Sequence, residues 1–230
     1  MAVRRQPKGN SESVDNYLKA ILALGGPDEL RVASTALVDR LGVAPASVTN
    51  MLQKLAASTS PLVEYERHHG VRLSPAGKRR ALEVLRHHRL IETFLYEVLD
   101  YPIEEVHEEA ERLEHFISER FEERIDVRLG HPKFDPHGHC IPAMDGKMPK
   151  QDSAPLTDVQ EEGTFVVDSI SDWDAPLLKG LREKGIIPGV QLRARHRGTK
   201  DYCAVSVGNS SKILRLSHEA ASAIRIRTVH

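Results

Sequence analysis

Apolar residues in the first part of the chain recur every three or four positions, the spacing of amphipathic helices. Val14, Leu18, Ile21 and Leu22 form one such stripe, with Ser11 as the expected N-cap and Gly25-Gly26-Pro27 as the stop. A second helix is expected over Val32–Leu41, turning Ala33, Ala36, Leu37 and Leu41 inward. Gly42-Val43-Ala44 makes a tight turn, and Pro45 opens a third helix where a missing N–H is tolerated. That helix, to about residue 57, buries Val48, Met51, Leu52 and Leu55 and leaves Ser47, Thr49, Asn50, Gln53 and Lys54 outside. The period then changes to alternation over Leu62–Leu73, with a turn at His68-His69-Gly70, which predicts a two-stranded wing. Helix, glycine turn, helix and hairpin together read as a winged helix-turn-helix DNA-binding domain over residues 1–74. Ser47, Thr49 and Asn50 suit base edges, and Lys54, Arg67 and Arg72 suit phosphates.

Ser74-Pro75 starts a long helix to about Leu99, and a further helix is expected from Pro102 to about Leu129. Both are too apolar for packing within one subunit alone, so residues 75–142 are expected to form a helical dimerisation domain. On the second of them Val106, Ala110, Leu113 and Ile117 share a stripe. His107, Glu111, Glu114 and His115 fall along its half-buried edge. His88 and Glu92, four apart, share a face of the preceding helix. Imidazoles and carboxylates gathered at a core boundary make a poor solvated surface and a good set of metal ligands. Gly130–Pro155, rich in proline, is expected to lack a core of its own, with residues 143–156 as the linker proper. His131, His137, His139 and Cys140 match no closed zinc pattern and are expected as loop residues. From 157 to 230 the pattern gives short strands, a small helix over Pro176–Lys184 and a half-turn capped by Ser217, which together suggest a small β-barrel.

Charge sharpens this division. Residues 1–90 hold 14 Lys/Arg against 8 Asp/Glu, residues 91–165 hold 7 against 19, and residues 166–230 hold 11 against 6. A basic first part suits a polyanion and an acidic middle suits cations. No run of 18 apolar residues and no secretory apolar segment occur, and Cys140 and Cys203 suggest no disulfide framework. A cytoplasmic protein without membrane association is expected.

These features resemble the diphtheria toxin repressor and manganese transport regulator family of metal-activated repressors. The resemblance rests on Leu41-Gly-Val-Ala-Pro-Ala-Ser-Val-Thr-Asn-Met-Leu-Gln-Lys-Leu55, His88-Arg-Leu-Ile-Glu92, Val106-His107 through Glu114-His115, and His137-Gly-His-Cys-Ile-Pro142. It implies a mainly α fold with a small β part: winged helix-turn-helix, helical dimerisation domain and C-terminal SH3-like (FeoA-like) barrel. It implies a homodimer that binds palindromic double-stranded operator DNA, with Mn²⁺ or Fe²⁺ as corepressor at two sites per subunit. His88, Glu92 and His107 match the ancillary site, and Glu111, Glu114 and His115 match the primary site. Glu111 stands where iron-type members have cysteine and manganese-type members have glutamate, a harder ligand suited to Mn²⁺. The first-helix ligand, methionine or aspartate in the family, corresponds to Asn16, with Asp15 one position off. Lys19 replaces a second glutamate of the manganese type, a departure from its close two-manganese arrangement. Asp172 or Asp174 of the barrel is expected to reach the ancillary site. A dinuclear carboxylate enzyme on paired helices is the alternative class, and a zinc-stabilised structural module a third.

Overall fold

Helices α1 (Lys8–Gly25), α2 (Ser34–Leu41) and α3 (Pro45–Ala56) close with the hairpin β1 (Val63–Glu66) and β2 (Gly70–Leu73) over one apolar core. Leu18, Leu37, Val48, Leu52 and Val71 at its centre are wholly shielded from solvent. Burial of each contributes roughly 1.5–3 kcal/mol. The computed structural model describes residues 8–26, 28–195 and 202–229. They form two units. The first runs through His87 and includes Glu114–Ile117 and Pro142–Lys147; the second comprises His88–Leu113, Ser118–Ile141 and the chain from Met148 onward.

In the first unit α1 begins a turn earlier than the expected cap, at Lys8, so Ser11 lies inside the helix. Helix α2 starts at Ser34 rather than Val32, because Val32 bridges Val71 and so joins the wing. Gly42 ends α2 in the left-handed region with φ of 64°, and Pro45 opens α3 in its first turn as expected. The wing pairs Val63 with Leu73 and Glu66 with Gly70. Ser74 then caps α4 (Pro75–Leu99): its hydroxyl accepts from Gly77 N at 3.1 Å and donates to Pro61 O at 2.6 Å.

The stretch expected as one helix from Pro102 to Leu129 is two. α5 (Ile103–Leu113) stops before Glu114, and Ser118 caps α6 (Glu119–Arg128) by accepting from Phe121 N. Leu113, placed on the apolar stripe by spacing, is exposed, while Val106 and Ala110 are buried.

The C-terminal part of the second unit is an antiparallel six-stranded sheet. Its strands are β3 (Ala154–Pro155), β4 (Gly163–Ile170), β5 (Gln191–Arg195), β6 (Tyr202–Val207), β7 (Leu214–Ser217) and β8 (Ile224–Thr228), in the order β3-β8-β4-β5-β6-β7. β3 lies in the segment expected as linker. α7 (Ala175–Glu183) and α8 (His218–Ser222) close the barrel core, where Val167, Ile170, Leu181, Ile186, Leu192 and Ile224 pack with Ile103 of α5. That shared residue, with Arg182 on Glu104 at 3.2 Å, fixes the start of α5 on the barrel. The segment after α6 is also anchored: Ile141 packs with Leu90 and Ile125, and Phe134 bridges Cys140. Gly138 touches β4 so closely that a Cβ there would stand 2.2 Å from Asp168 O, and its φ is +88°. Among the described residues no helix is long and apolar enough to cross a membrane.

Candidate metal centre

In the second unit α4 presents His88 and Glu92, α5 presents His107, and the turn after β4 presents Asp172. The four offer ligand atoms that all lie within 4.8 Å of one another. His88 Nε2 stands 2.9 Å from Glu92 Oε1 and 3.1 Å from His107 Nδ1. His107 Nδ1 is 3.2 Å from Glu92 Oε1 and 3.5 Å from Asp172 Oδ2. Of the two barrel aspartates, Asp172 reaches His107, whereas Asp174 accepts from Leu177 N at 2.8 Å and caps α7. The Trp173 ring meets the His107 ring edge-on at 5.0 Å. Glu111, in the last turn of α5, places Oε1 3.9 Å from His88 Nδ1.

Electrostatics makes this cluster unusual. Glu92 has no exposure to solvent. Burial alone would keep it neutral, yet His88, His107 and His137 hold its carboxyl well below the usual range. Asp172 is likewise pulled down against its burial, by His107 and His139. His107 moves the other way: burial opposes its charge, but Asp172 and Glu92 push it up to about 9. Without another cation the carboxylates thus draw their counter-charge from protonated imidazoles. Imidazoles and carboxylates with no thiolate form a donor set that fits Mn²⁺ or Fe²⁺. Glu92 Oε2, buried without a hydrogen-bond partner, is a further sign of fit.

The first unit gathers Asp15, Glu114 and His115. His115 Nδ1 is 3.4 Å from Asp15 Oδ2, and its Nε2 is 3.2 Å from Glu114 Oε1. Here side chains already balance the charge. Lys19 Nζ binds both Glu114 oxygens at 2.8 and 2.9 Å, and Arg80 Nε binds Asp15 at 2.6 Å. Burial of Asp15 is outweighed by His115 and Arg80, which lower its pKa. Asn16 Oδ1 is buried without a hydrogen-bond partner. Both first-helix oxygens considered from sequence are therefore inside, and it is Asp15 that meets His115.

On the winged helix Ser47, Asn50 and Lys54 of α3 and Arg67 at the wing tip are exposed. Thr49 is half-buried, and its hydroxyl donates to Pro45 O at 3.2 Å. Arg72 is paired with Glu64 at 2.6 Å across the wing.

His137 and His139 lie in the loop after α6, as expected from sequence, but both face the cluster. His131 lies just past the end of α6, at φ of 59°, with Nδ1 2.9 Å from Asp126 Oδ2. His137, however, is fully buried with Nδ1 3.8 Å from Glu92 Oε2, and His139 Nδ1 is 3.9 Å from Asp172 Oδ2. The alternation Asp135-x-His137-x-His139 was the available signal. Both cysteines are free thiols, and Cys140 is buried.

Three family descriptions match in succession. Residues 10–71 match the iron dependent repressor N-terminal DNA binding domain, 74–143 the iron dependent repressor metal binding and dimerisation domain, and 154–228 the FeoA domain. A solved manganese-dependent transcriptional repressor in complex with manganese is 35% identical, covers 94% of this chain and 100% of its own, and superposes with a TM-score of 0.87. ScaR with bound Zn²⁺ is 30% identical over 94% of this chain and 99% of its own, with a TM-score of 0.80. The iron-dependent repressor IdeR of Mycobacterium tuberculosis is 28% identical over 95% of this chain and 98% of its own. None of this supports the alternative of a dinuclear carboxylate enzyme. With a winged helix-turn-helix, a buried histidine–carboxylate cluster and a FeoA domain in this order, the chain belongs to the iron-dependent repressor family of metal-dependent, DNA-binding transcriptional regulators.

Proposed function

We propose that the chain is a cytoplasmic homodimeric repressor activated by Mn²⁺, with Fe²⁺ as the alternative corepressor, that binds palindromic operator DNA and limits metal uptake when metal is plentiful. The observation that carries this reading is the His88–Glu92–His107–Asp172 cluster, where the buried Glu92 and the half-buried Asp172 are held ionised among imidazoles. When bound, a divalent cation supplies the positive charge that these carboxylates otherwise take from histidine. His107 must give up its proton, while Glu92 and Asp172 are already charged. A second site uses Glu114 and His115 with an oxygen of Asp15 or Asn16, and it requires Lys19 to release Glu114. The hard donor set, with Glu111 beside His88, favours Mn²⁺ over softer ions, although intrinsic affinity for Zn²⁺ is higher in any such site.

Exposed Leu99, Phe121 and Val127 on helical segments support a homodimer face. In the dimer, α3 enters the major groove with Ser47, Thr49 and Asn50 toward base edges, and Lys54, Arg67 and Arg72 serve phosphates. Activation is the difference in metal affinity between the DNA-competent and incompetent arrangements. The test is fluorescence anisotropy with a palindromic operator duplex at fixed salt, using wild type and Glu92→Gln. Metal-dependent binding by wild type, lost in Glu92→Gln at the same free Mn²⁺, is expected; equal metal-dependent binding by both would overturn the assignment.

A further inference from the structure

Beside the cluster just described lies a second set of donors, Asp135, His137 and His139, whose ligand atoms also fall within 4.8 Å of one another. All belong to the second unit. Asp135 Oδ1 accepts from the backbone N–H groups of His137 and His139, both at 2.9 Å, which curls the segment around the carboxylate. The turn is docked on the barrel by Ile170 N donating to His137 O at 2.9 Å and by the close approach of Gly138 to Asp168 O.

The free atoms are the telling ones. His137 Nε2 lies 3.2 Å from Ile103 O, an acceptor only, so Nε2 carries the proton and, in the neutral ring, Nδ1 is a lone pair. A carbonyl fixing one ring nitrogen in this way is the usual support of a metal-binding histidine. His137 Nδ1, His139 Nδ1, Asp135 Oδ2 and Glu92 Oε2 are all buried and make no hydrogen bond. His137 has no solvent exposure and Asp135 is 5% exposed. A buried polar atom left unpaired is costly, and more so where charge is involved. Arg89 Nε, 3.5 Å from Asp135 Oδ2, compensates one of these four atoms.

The separations suit a shared ion. His139 Nδ1 is 3.3 Å from Asp135 Oδ2, and His137 Nδ1 is 3.8 Å from Glu92 Oε2. Ligand bonds of about 2.1 Å place neighbouring donors roughly 3 to 3.5 Å apart and opposite donors just over 4 Å. Glu92 is thereby shared: Oε1 faces His88 and His107, and Oε2 faces His137.

We propose that Asp135, His137 and His139, with Glu92 Oε2 as a bridge, form an additional divalent-cation site, so that the second unit holds a carboxylate-bridged pair of first-row cations. This goes beyond the proposed function and rests on it only for the first ion of the pair. The donors are two imidazoles and two carboxylates, a set for Mn²⁺, Fe²⁺ or Zn²⁺.

The test is equilibrium dialysis of the full chain against buffered Mn²⁺, with metal counted by atomic emission and spin coupling read by electron paramagnetic resonance. Wild type should show an exchange-coupled Mn²⁺ signal. Asp135→Asn keeps the acceptor that holds the turn and replaces the ligand oxygen by an amide; His139→Gln removes an imidazole without touching Gly138. Each should lose one Mn²⁺ per chain and convert the coupled signal to that of an isolated ion, with the metal-free melting transition retained. An uncoupled wild-type signal, or the same count and spectrum in wild type and both variants, would overturn the proposal. His88→Gln separates the readings: if it loses no Mn²⁺, the first site is wrong, while the Asp135 and His139 comparison still decides the second.

Discussion

Metal binding at the His88 cluster should be steeply pH-dependent, with a slope set by His107. In the metal-free chain its side chain is 17% exposed, and Asp172 and Glu92 push its pKa from 6.5 to about 9. That interval is worth about 3 kcal/mol in favour of the protonated ring. At pH 7 His107 is therefore charged and must release a proton to serve as a ligand. Apparent Mn²⁺ affinity should rise about tenfold per pH unit between pH 7 and 8.5 from His107 alone, flattening above about 9. His137, also raised by Glu92 against its burial, adds in the same direction. Metal-free stability behaves oppositely. The His107 contribution is complete below pH 6.5 and is lost as pH rises through about 9. The contributions of Glu92 and Asp172, whose pKa values are lowered, are present above the ordinary carboxylate range and vanish as pH falls through their folded values. The assay is anaerobic competition of the chain with a fluorescent chelator for Mn²⁺ at half-unit pH steps, alongside urea unfolding of the metal-free protein. Mn²⁺ affinity independent of pH from 6.5 to 8.5 would refute the charge state assigned to His107.

Other outcomes follow from individual contacts. Gly138→Ala, with its Cβ 2.2 Å from Asp168 O at a positive φ, should lower stability by about 3 kcal/mol in chemical denaturation. Lys19→Ala removes the ammonium that binds both oxygens of the buried Glu114, so metal-free stability should fall by about 3 kcal/mol while Mn²⁺ affinity at the Asp15–Glu114–His115 cluster rises. Direct calorimetric titration of that variant checks both the sign and the number of ions. On DNA, Lys54→Ala should weaken binding to all sequences and reduce the salt slope by about one, whereas Asn50→Ala should relax base preference at one position by about 1–3 kcal/mol. Salt-dependent anisotropy on operator and mismatched duplexes separates the two.

Periodicity carried much of the helical architecture because each helix buries one stripe. Gly42, Pro45 and Ser74 mark local boundaries through backbone chemistry that a single residue dictates. The break between α5 and α6 was less legible. Glu114 and His115 continue a helical spacing, yet Glu114 is held by Lys19, a partner 95 residues away that no local pattern reveals. Ser118, followed by Glu119 and Glu122, was a readable helix start that the longer apolar stripe obscured. Among the metal donors, His88 and Glu92 stand four apart on one helix and could be paired from sequence. Asp172 needed the family resemblance, because its turn reaches α5 through tertiary contacts, Ile103 in the barrel core and Arg182 on Glu104, that no local pattern reveals. The proximity of His137 and His139 to Glu92 and Asp172 is not legible in sequence, since those carboxylates lie on other elements and a proline-rich segment gives no hint that it docks on β4.

The most direct test of the account is anaerobic fluorescence anisotropy of the wild-type chain with a palindromic operator duplex, titrating Mn²⁺, Fe²⁺ and Zn²⁺ separately at constant salt. Tight, sequence-selective binding is expected only when a divalent cation is present, and a chelator should reverse it. Operator binding of equal strength with and without every metal would contradict it.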